Sequence, residues 1–296
     1  MSLADSSSAR IPVVETIEQA RAMIREWKLA GDSIAFVPTM GNLHQGHLAL
    51  VKAANASGMR TVVSVFVNPK QFGENEDLDT YPRTFDEDIT RLSDFRVDMV
   101  FAPAVSEIYP RGSDQGTSVH VHGLSDMLEG ECRPGFFNGV ATVVSILFNI
   151  IQPDVAWFGE KDYQQLLVIR SMVQELALPI EIKSVPTVRE GDGLAMSSRN
   201  RYLDAEQRRL AARLYRCLQH VVDSVDEGMD CSYAVVHASQ ELTEAGFLTD
   251  YVVVRRQQDL AVPRSGDKSL IVLAAARLDG VRLIDNIPFE LMKKQQ

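Results

Sequence analysis

Cysteine is scarce in this sequence: Cys132, Cys217 and Cys231 make an odd three among 296 residues and share no metal-ligand spacing. A disulfide scaffold or a structural zinc site is therefore not expected, and a reducing compartment is. Basic charge is also short, with 30 Lys and Arg against 40 Asp and Glu and a formal net charge of −10. Such a surface repels phosphodiester backbones, so no nucleic-acid partner is expected. A long apolar run is missing as well. The most hydrophobic stretch, GVATVVSILFNIIQPDVAWF, is interrupted by Asn149, Gln152, Pro153 and Asp154, which leaves less than the ~18 apolar residues of a spanning helix. The polar opening MSLADSSSAR has no signal-peptide core. These absences point to a cytoplasmic protein with no membrane association.

What is present is enough apolar residue, 45 % of the chain, for a sizeable core near the size at which one core divides into two. In residues 16–30, Ile17, Ala20, Met23, Ile24 and Trp27 fall near one helical face, with a Thr16/Gln19 capping box and a stop at Gly31. SIAFVPTMG then reads as a buried strand ending in a turn, HLALVKAANASG as a helix starting near His47, and TVVSVFVNP as a second strand. TFDEDITRLSDFRVD reads as a helix and MVFAP as a strand; a central helix at about 139–151 precedes DVAWFG, a further helix and IEIKSVPT. This alternation predicts a Rossmann-like, doubly wound parallel α/β sheet whose strand ends share one ligand-binding edge. After the polar break REGDGLAMSSRNRYL comes one long helix from about Asp204, and then strand-like runs. The expected division is residues 1–187, then a smaller α+β domain at 188–296.

Three strand ends carry groups suited to anions. In PTMGNLHQGH, Gly41 and Gly46 remove Cβ atoms where a phosphate could approach the backbone, and a helix start aims free N–H groups at it. His44 and His47, three apart, can both donate to phosphate oxygens, more strongly if protonated. A solvated surface turn is the plain alternative, and a metal pair lacks a completing ligand. The glycines fit neither a P-loop nor a dinucleotide fingerprint.

NPKQFG offers Gln71, with Asn68 either functional or only a turn former. GEKDYQQL offers Lys161 as a mobile cation, Asp162 for a ribose hydroxyl and Gln165 a turn later. AMSSRNRYL supplies Ser197, Ser198 and the phosphate-matching fork of Arg199; Gly191 and Gly193 would let the segment close over a ligand. No G-x-S-x-G elbow makes either serine a nucleophile. Arg133 is a candidate for a substrate carboxylate, and Arg189 for the crevice margin. The acids Asp86, Glu87 and Asp88 suit either Mg²⁺ or the first turn of a helix, and the helix reading is preferred.

Together PTMGNLHQGH, SVFVNPKQF, FGEKDYQQL and VPTVREGDGLAMSSRNRYL closely resemble the pantoate–beta-alanine ligase family over roughly residues 13–290. The resemblance implies an HxGH nucleotidyltransferase-type fold, a requirement for Mg²⁺ and a homodimer. It also implies condensation of pantoate with beta-alanine, with ATP as substrate, through a pantoyl adenylate. Carried across residue by residue, the ATP contacts are Met40, Gly41, Asn42, Leu43, His44, Gln45, Gly46, His47, Gly159, Glu160, Lys161, Asp162, Val188, Met196, Ser197, Ser198 and Arg199. The pantoate contacts are Gln71 and Gln165, with Gln71 also close to beta-alanine. His44, His47, Lys161 and Arg199 are the expected catalytic groups, and His47 matches the proton donor of the family. An electrostatic role for His47 is preferred, because pyrophosphate is already a tolerable leaving group when cations bind it. The rival readings are an AMP transfer to a phosphorylated acceptor and a catalytically silent ATP-binding module.

Overall fold

Residues 11–291, apart from 74, 75 and 77, are described by the computed structural model; the opening stretch MSLADSSSAR lies outside them. The first helix, α1 (Ile17–Leu29), begins with the expected reciprocal cap between Thr16 and Gln19 and is followed by Gly31 at φ 84°. Its Ala20 and Ile24 are buried, with Ile17, Met23 and Trp27 packed at the margin of the main core.

Around it runs the alternation that the sequence implies. Strands β1 (Val13–Val14), β2 (Ile34–Thr39), β3 (Arg60–Val65), β4 (Met99–Phe101), β5 (Val155–Gly159) and β6 (Glu181–Val185) form one parallel sheet in the order β1-β4-β3-β2-β5-β6. The connections include α2 (Gln45–Ala56), α3 (Phe85–Leu92), the short α4 (Val105–Ile108) and α5 (Glu129–Cys132), α6 (Phe136–Ile151) and α7 (Tyr163–Glu175). The sheet grows outward from β2 through β3 to β4, then restarts with β5 on the other side of β2. Such a reversal separates the two following turns and opens a crevice at the strands' carboxyl ends. Here it lies beyond Thr39 and Gly159.

The central strands are buried on both faces, as parallel strands between helices must be: Ile34, Ala35, Phe36 and Val37 are inaccessible to solvent. The middle helix, α6, starts earlier than the expected 139, behind Gly135 at φ 83°. Its Gly139 is a packing glycine, since a Cβ there would lie 2.1 Å from the Lys70 carbonyl oxygen. No helix among the described residues is long and apolar enough to cross a membrane.

The carboxyl-terminal part has a separate apolar core built from helices and three antiparallel strands, β7 (Leu248–Arg256), β8 (Ser269–Leu278) and β9 (Val281–Glu290). Two details differ from the sequence reading. The expected long helix is two, α8 (Ala205–Ala211) and α9 (Arg213–Asp226), broken at Ala212. Arg208 on α8 reaches Glu190 at 2.5 Å and Asp192 at 2.7 Å. A further helix, α10 (Cys231–Glu244), was not picked out. Asp230 caps it, and Ala234, Ala238 and Leu242 are its buried stripe.

Candidate active site

The turn leaving β2 is shaped by the protein's own hydrogen bonds. Thr39 Oγ1 accepts the Gly41 N–H at 3.1 Å and donates to the Ser64 carbonyl at 2.7 Å. Asp88 on α3, only 1 % exposed, accepts the N–H groups of Asn42 at 2.8 Å and Leu43 at 2.7 Å. Arg91, one helical turn on, donates to the Leu43 carbonyl. Gly41 (φ 76°) stands where a Cβ would come 3.0 Å from Asp88 Oδ2, and one at Gly46 would come 2.8 Å from His44 Cε1. Both glycines therefore make room for protein groups, and Gly46 also lines the cleft.

The helix after the turn starts at Gln45 rather than near His47, because His44 is its cap. His44 Nδ1 accepts the Gly46 N–H at 3.1 Å, and His47 Nδ1 accepts the His44 N–H at 3.3 Å. A ring nitrogen accepting from a backbone amide carries no proton, so this network assigns both hydrogens to Nε2. Burial, followed by the charges of His47 and Lys161, holds the His44 pKa down to about 3. Burial and Lys161 hold that of His47 down to about 4. In the free protein both rings are therefore neutral donors near pH 7, not the imidazolium partners considered from sequence.

The turn after β5 presents Lys161, whose Nζ lies 3.5 Å from Asp162 Oδ1. Its backbone is held from the other core: Asn286 Nδ2 on β9 donates to the Glu160 and Lys161 carbonyls at 2.9 and 2.8 Å. Asp285 beside it, 3 % exposed, takes a bidentate pair from Arg189 at 2.6 and 2.9 Å. The polar Asp-Asn pair inside the apolar β9 run was the sequence signal for this anchorage, and it was missed.

The turn after β3 is a 3-10 turn, Pro69–Gln71, seated on Gly139 of α6. Asn68 is more than a turn former. It accepts the Lys70 N–H at 3.3 Å and the Tyr109 hydroxyl at 2.7 Å, and donates to Gln71 Oε1 at 2.9 Å. With its oxygen engaged, Gln71 keeps its amide hydrogens for a ligand. The adjacent glutamines of α7 divide their work. Both line the cleft, but Gln164 spends its amide on the Leu124 and Met127 carbonyls, both at 2.8 Å.

The segment from the carboxyl-terminal side closes the ring. Met196 N–H donates to the Val188 carbonyl at 2.9 Å, Ser197 caps the turn Ser198–Tyr202, and Ser198 Oγ donates to the Asn42 carbonyl at 3.2 Å. Gly193 is packed against a ring: at φ 97° a Cβ there would lie 2.3 Å from Tyr215. Gly191 has open space around it.

These elements enclose a cleft of about 990 Å³. Of the residues singled out from sequence as ATP, pantoate or catalytic groups, Gly41, Asn42, Leu43, Gln45 and Glu160 stay out of its lining, and the others line it. Leu43 is fully buried beneath the turn, and the Glu160 carboxylate accepts from Ser184 at 2.8 Å. Arg133 is not free for a substrate carboxylate. Glu76 pairs with it at 2.7 and 2.5 Å, Glu129 lies at 3.3 Å, and it donates to the Gln71 carbonyl at 3.0 Å.

The acidic run of α3 does not fit a magnesium site. Asp88 is spent on backbone amides, Glu87 faces Arg91 at 3.8 Å and Arg201 at 3.6 Å, and none of Asp86, Glu87 or Asp88 lines the cleft. Nor is Asp88 simply a favourable charge at a helix start. Among the carboxylates that line the cleft, Glu76, Glu129 and Asp285 pair with arginine, and Asp162 has Lys161. The residues present suit a metal that arrives on phosphates.

Fold and cleft together define a nucleotide-binding α/β enzyme. Comparison with known proteins narrows this. The family profile described as Pantoate-beta-alanine ligase matches residues 12–288. The pantothenate synthetase of Shewanella loihica is 51 % identical over 276 residues, covering 93 % of this chain and 98 % of the relative. The crystal structure of pantothenate synthetase from Thermus thermophilus superposes with a TM-score of 0.88 at 44 % identity, covering 96 % of this chain and 100 % of the other. The pantoate-beta-alanine ligase of Francisella tularensis, solved with beta-gamma ATP and beta-alanine, gives 0.80 at 31 % identity, covering 94 % and 97 %. The chain belongs to the pantoate–beta-alanine ligase family and is a ligase of pantothenate biosynthesis.

Proposed function

We propose that the chain condenses pantoate with beta-alanine at the expense of ATP, through a pantoyl adenylate. The observation that carries this reading is the meeting of His44, His47, Lys161 and Arg199 with Gln71 and Gln165 in one cleft, in a chain that matches the family over nearly its whole length. In the first step a pantoate carboxylate oxygen attacks the α-phosphorus, and the bond to pyrophosphate breaks. In the second the amine of beta-alanine attacks the acyl carbon, loses a proton, and AMP leaves with the bonding electrons.

Gln71 and Gln165 orient pantoate for in-line attack, which is a positioning contribution. The Nε2–H groups of His44 and His47, with Lys161 and Arg199, meet the charge that grows on the leaving phosphates. Ser197 and Ser198 shape the turn that presents Arg199. His47 acts as a fixed donor rather than an acid, because its ring is neutral and its Nδ1 is held by the His44 amide. Mg²⁺ enters with ATP and supplies charge neutralisation on the phosphates. We further propose a division near residue 187, between the end of β6 at Val185 and the first residue of the second core, Leu194. A homodimer and a cytoplasmic location complete the reading.

The test incubates the protein with ATP, Mg²⁺ and pantoate, with and without beta-alanine, and follows pyrophosphate and AMP. Continuous AMP release only when both organic substrates are present supports the ligase. Turnover dependent on a phosphorylated acceptor instead would replace it with a nucleotidyltransferase, and no turnover with a silent binding module.

A further inference from the structure

Away from the cleft, a surface turn ahead of α5 carries three side chains with metal-ligand chemistry. Val121 is buried in the main core, and Val119 packs against it while donating its N–H to Thr142 Oγ1 on α6 at 2.9 Å. Neighbouring side chains along an extended chain point to opposite sides, and His120 and His122 are both exposed, their ring centroids 4.3 Å apart. The chain then folds back on itself. Ser125 N–H donates to the Val121 carbonyl at 3.0 Å, and Asp126 Oδ2 accepts the Gly123 N–H at 2.9 Å. This brings Asp126 Oδ1 to 2.9 Å from His120 Nε2.

The turn is also held from behind. Gln164 clasps the carbonyls of Leu124 and Met127, both at 2.8 Å, and Gly130 lets the Ser125 carbonyl approach so closely that a Cβ would meet its oxygen at 1.9 Å. The ligand atoms of His120, His122 and Asp126 all lie within 4.8 Å of one another, the one such trio among the described residues.

We propose that His120, His122 and Asp126 form a surface site for one divalent transition-metal ion of the zinc type. Two imidazole nitrogens and one carboxylate oxygen suit Zn²⁺, with bonds of about 2.0–2.2 Å and a water in the fourth position. Co²⁺, Ni²⁺ and Cu²⁺ accept the same donors, whereas Mg²⁺ and Ca²⁺ prefer all-oxygen shells. Small rotations of three exposed side chains bring the donors to coordination distance, because the backbone beneath them is already fixed. The ion pair of His120 with Asp126 is exchanged for bonds to the metal. A net charge of −10 favours a cation at the surface in general. The proposal does not depend on the ligase reading, since none of the three residues lines the cleft.

The test uses the full chain without a histidine tag, stripped by a chelator that is then removed. Zn²⁺ is titrated by calorimetry, and Co²⁺ is followed by its visible absorption, which reports a tetrahedral nitrogen–oxygen shell. One ion per chain is expected, with His120→Ala and His122→Ala each weakening binding by about tenfold or more and the double variant abolishing the saturable phase. Asp126→Asn keeps an oxygen for the Gly123 amide but loses the charge, and should also bind more weakly. Melting curves of all variants in chelator should stay close to that of the parent, since the contact they lose is the exposed His120–Asp126 pair. No saturable binding below about 1 mM, a range weaker than a specific site, would show only a surface ion pair and overturn the proposal. Unchanged binding in the double variant, which would place the ion elsewhere, overturns it equally.

Discussion

Two sides of the cleft are held in different ways. The histidine turn is locked from below: Asp88 takes two of its amides, Arg91 its Leu43 carbonyl, and each histidine uses Nδ1 on a backbone N–H. The Ser197–Arg199 segment hangs from the carboxyl-terminal core through the ties of Glu190, Asp192 and Asn200, and touches the histidine turn through Ser198 Oγ at 3.2 Å from the Asn42 carbonyl. A locked donor array costs no reorganisation when charge develops, which is the condition for electrostatic catalysis. A segment mounted on a second core can adjust its distance as ligands enter and leave. The larger losses of rate are therefore expected from substitutions on the locked side.

Substitutions at the two sides test that expectation. His47→Gln should have the largest effect, a fall in kcat of roughly 10²–10³-fold, the usual loss for one aimed donor. Its pH–rate profile should keep both limbs; loss of one limb would restore the acid role. Asp88→Asn should follow, with kcat down by about 10–100-fold, because an amide offers one acceptor and sets an NH₂ against a backbone N–H. Leaving such an amide unpaired costs about 1–3 kcal/mol. The Mg²⁺ concentration dependence should not move, and a large rise in the Mg²⁺ requirement would make Asp88 a metal ligand after all.

On the other side, Gly193→Ala should destabilise by about 1–3 kcal/mol, from the clash with Tyr215 and the positive φ, measured by denaturant melting. A hinge role would instead lower kcat with stability unchanged. The pH dependence of stability separates the sides again. His44 and His47 titrate lower in the folded protein, about 3 and 4, than in the unfolded chain, near 6.5. The unfolded state therefore binds protons first, so stability is full above pH ~6.5 and falls as pH drops toward 4. Replacing both with Gln should flatten that slope. Ser198→Ala should have the smallest effect, a fall in kcat of about two- to fivefold for one neutral hydrogen bond; a hundredfold loss would put the adjustable side on a par with the locked one.

Much of this was legible beforehand. The alternation of apolar strands and amphipathic helices implied the doubly wound sheet, the Thr16 cap is where it was expected, and a helix does begin just after Asp204. The four motifs named the turns that meet in the cleft. The partners behind those turns were not legible. Asp88 read as an acid at a helix start, yet it serves a turn 45 residues away from it in sequence. Gly41, Gly46 and Gly193 read as space for a ligand or a hinge, and each makes room for a neighbouring side chain. The break at Ala212 was hidden because helical periodicity continues across it.

Periodicity and local turn chemistry belong to neighbours along the chain, so the sequence by itself determined the strands other than the two-residue β1, most helices, their parallel winding and the set of residues at the strand ends. Hydrogen-bond saturation across the fold belongs to atoms far apart in sequence. Only the tertiary structure decided that Gln164 is spent on the Leu124 and Met127 carbonyls, that Arg133 is already paired, and that both histidines are neutral donors. Each of those outcomes depends on which distant groups occupy a lone pair or an N–H, and no local pattern records that.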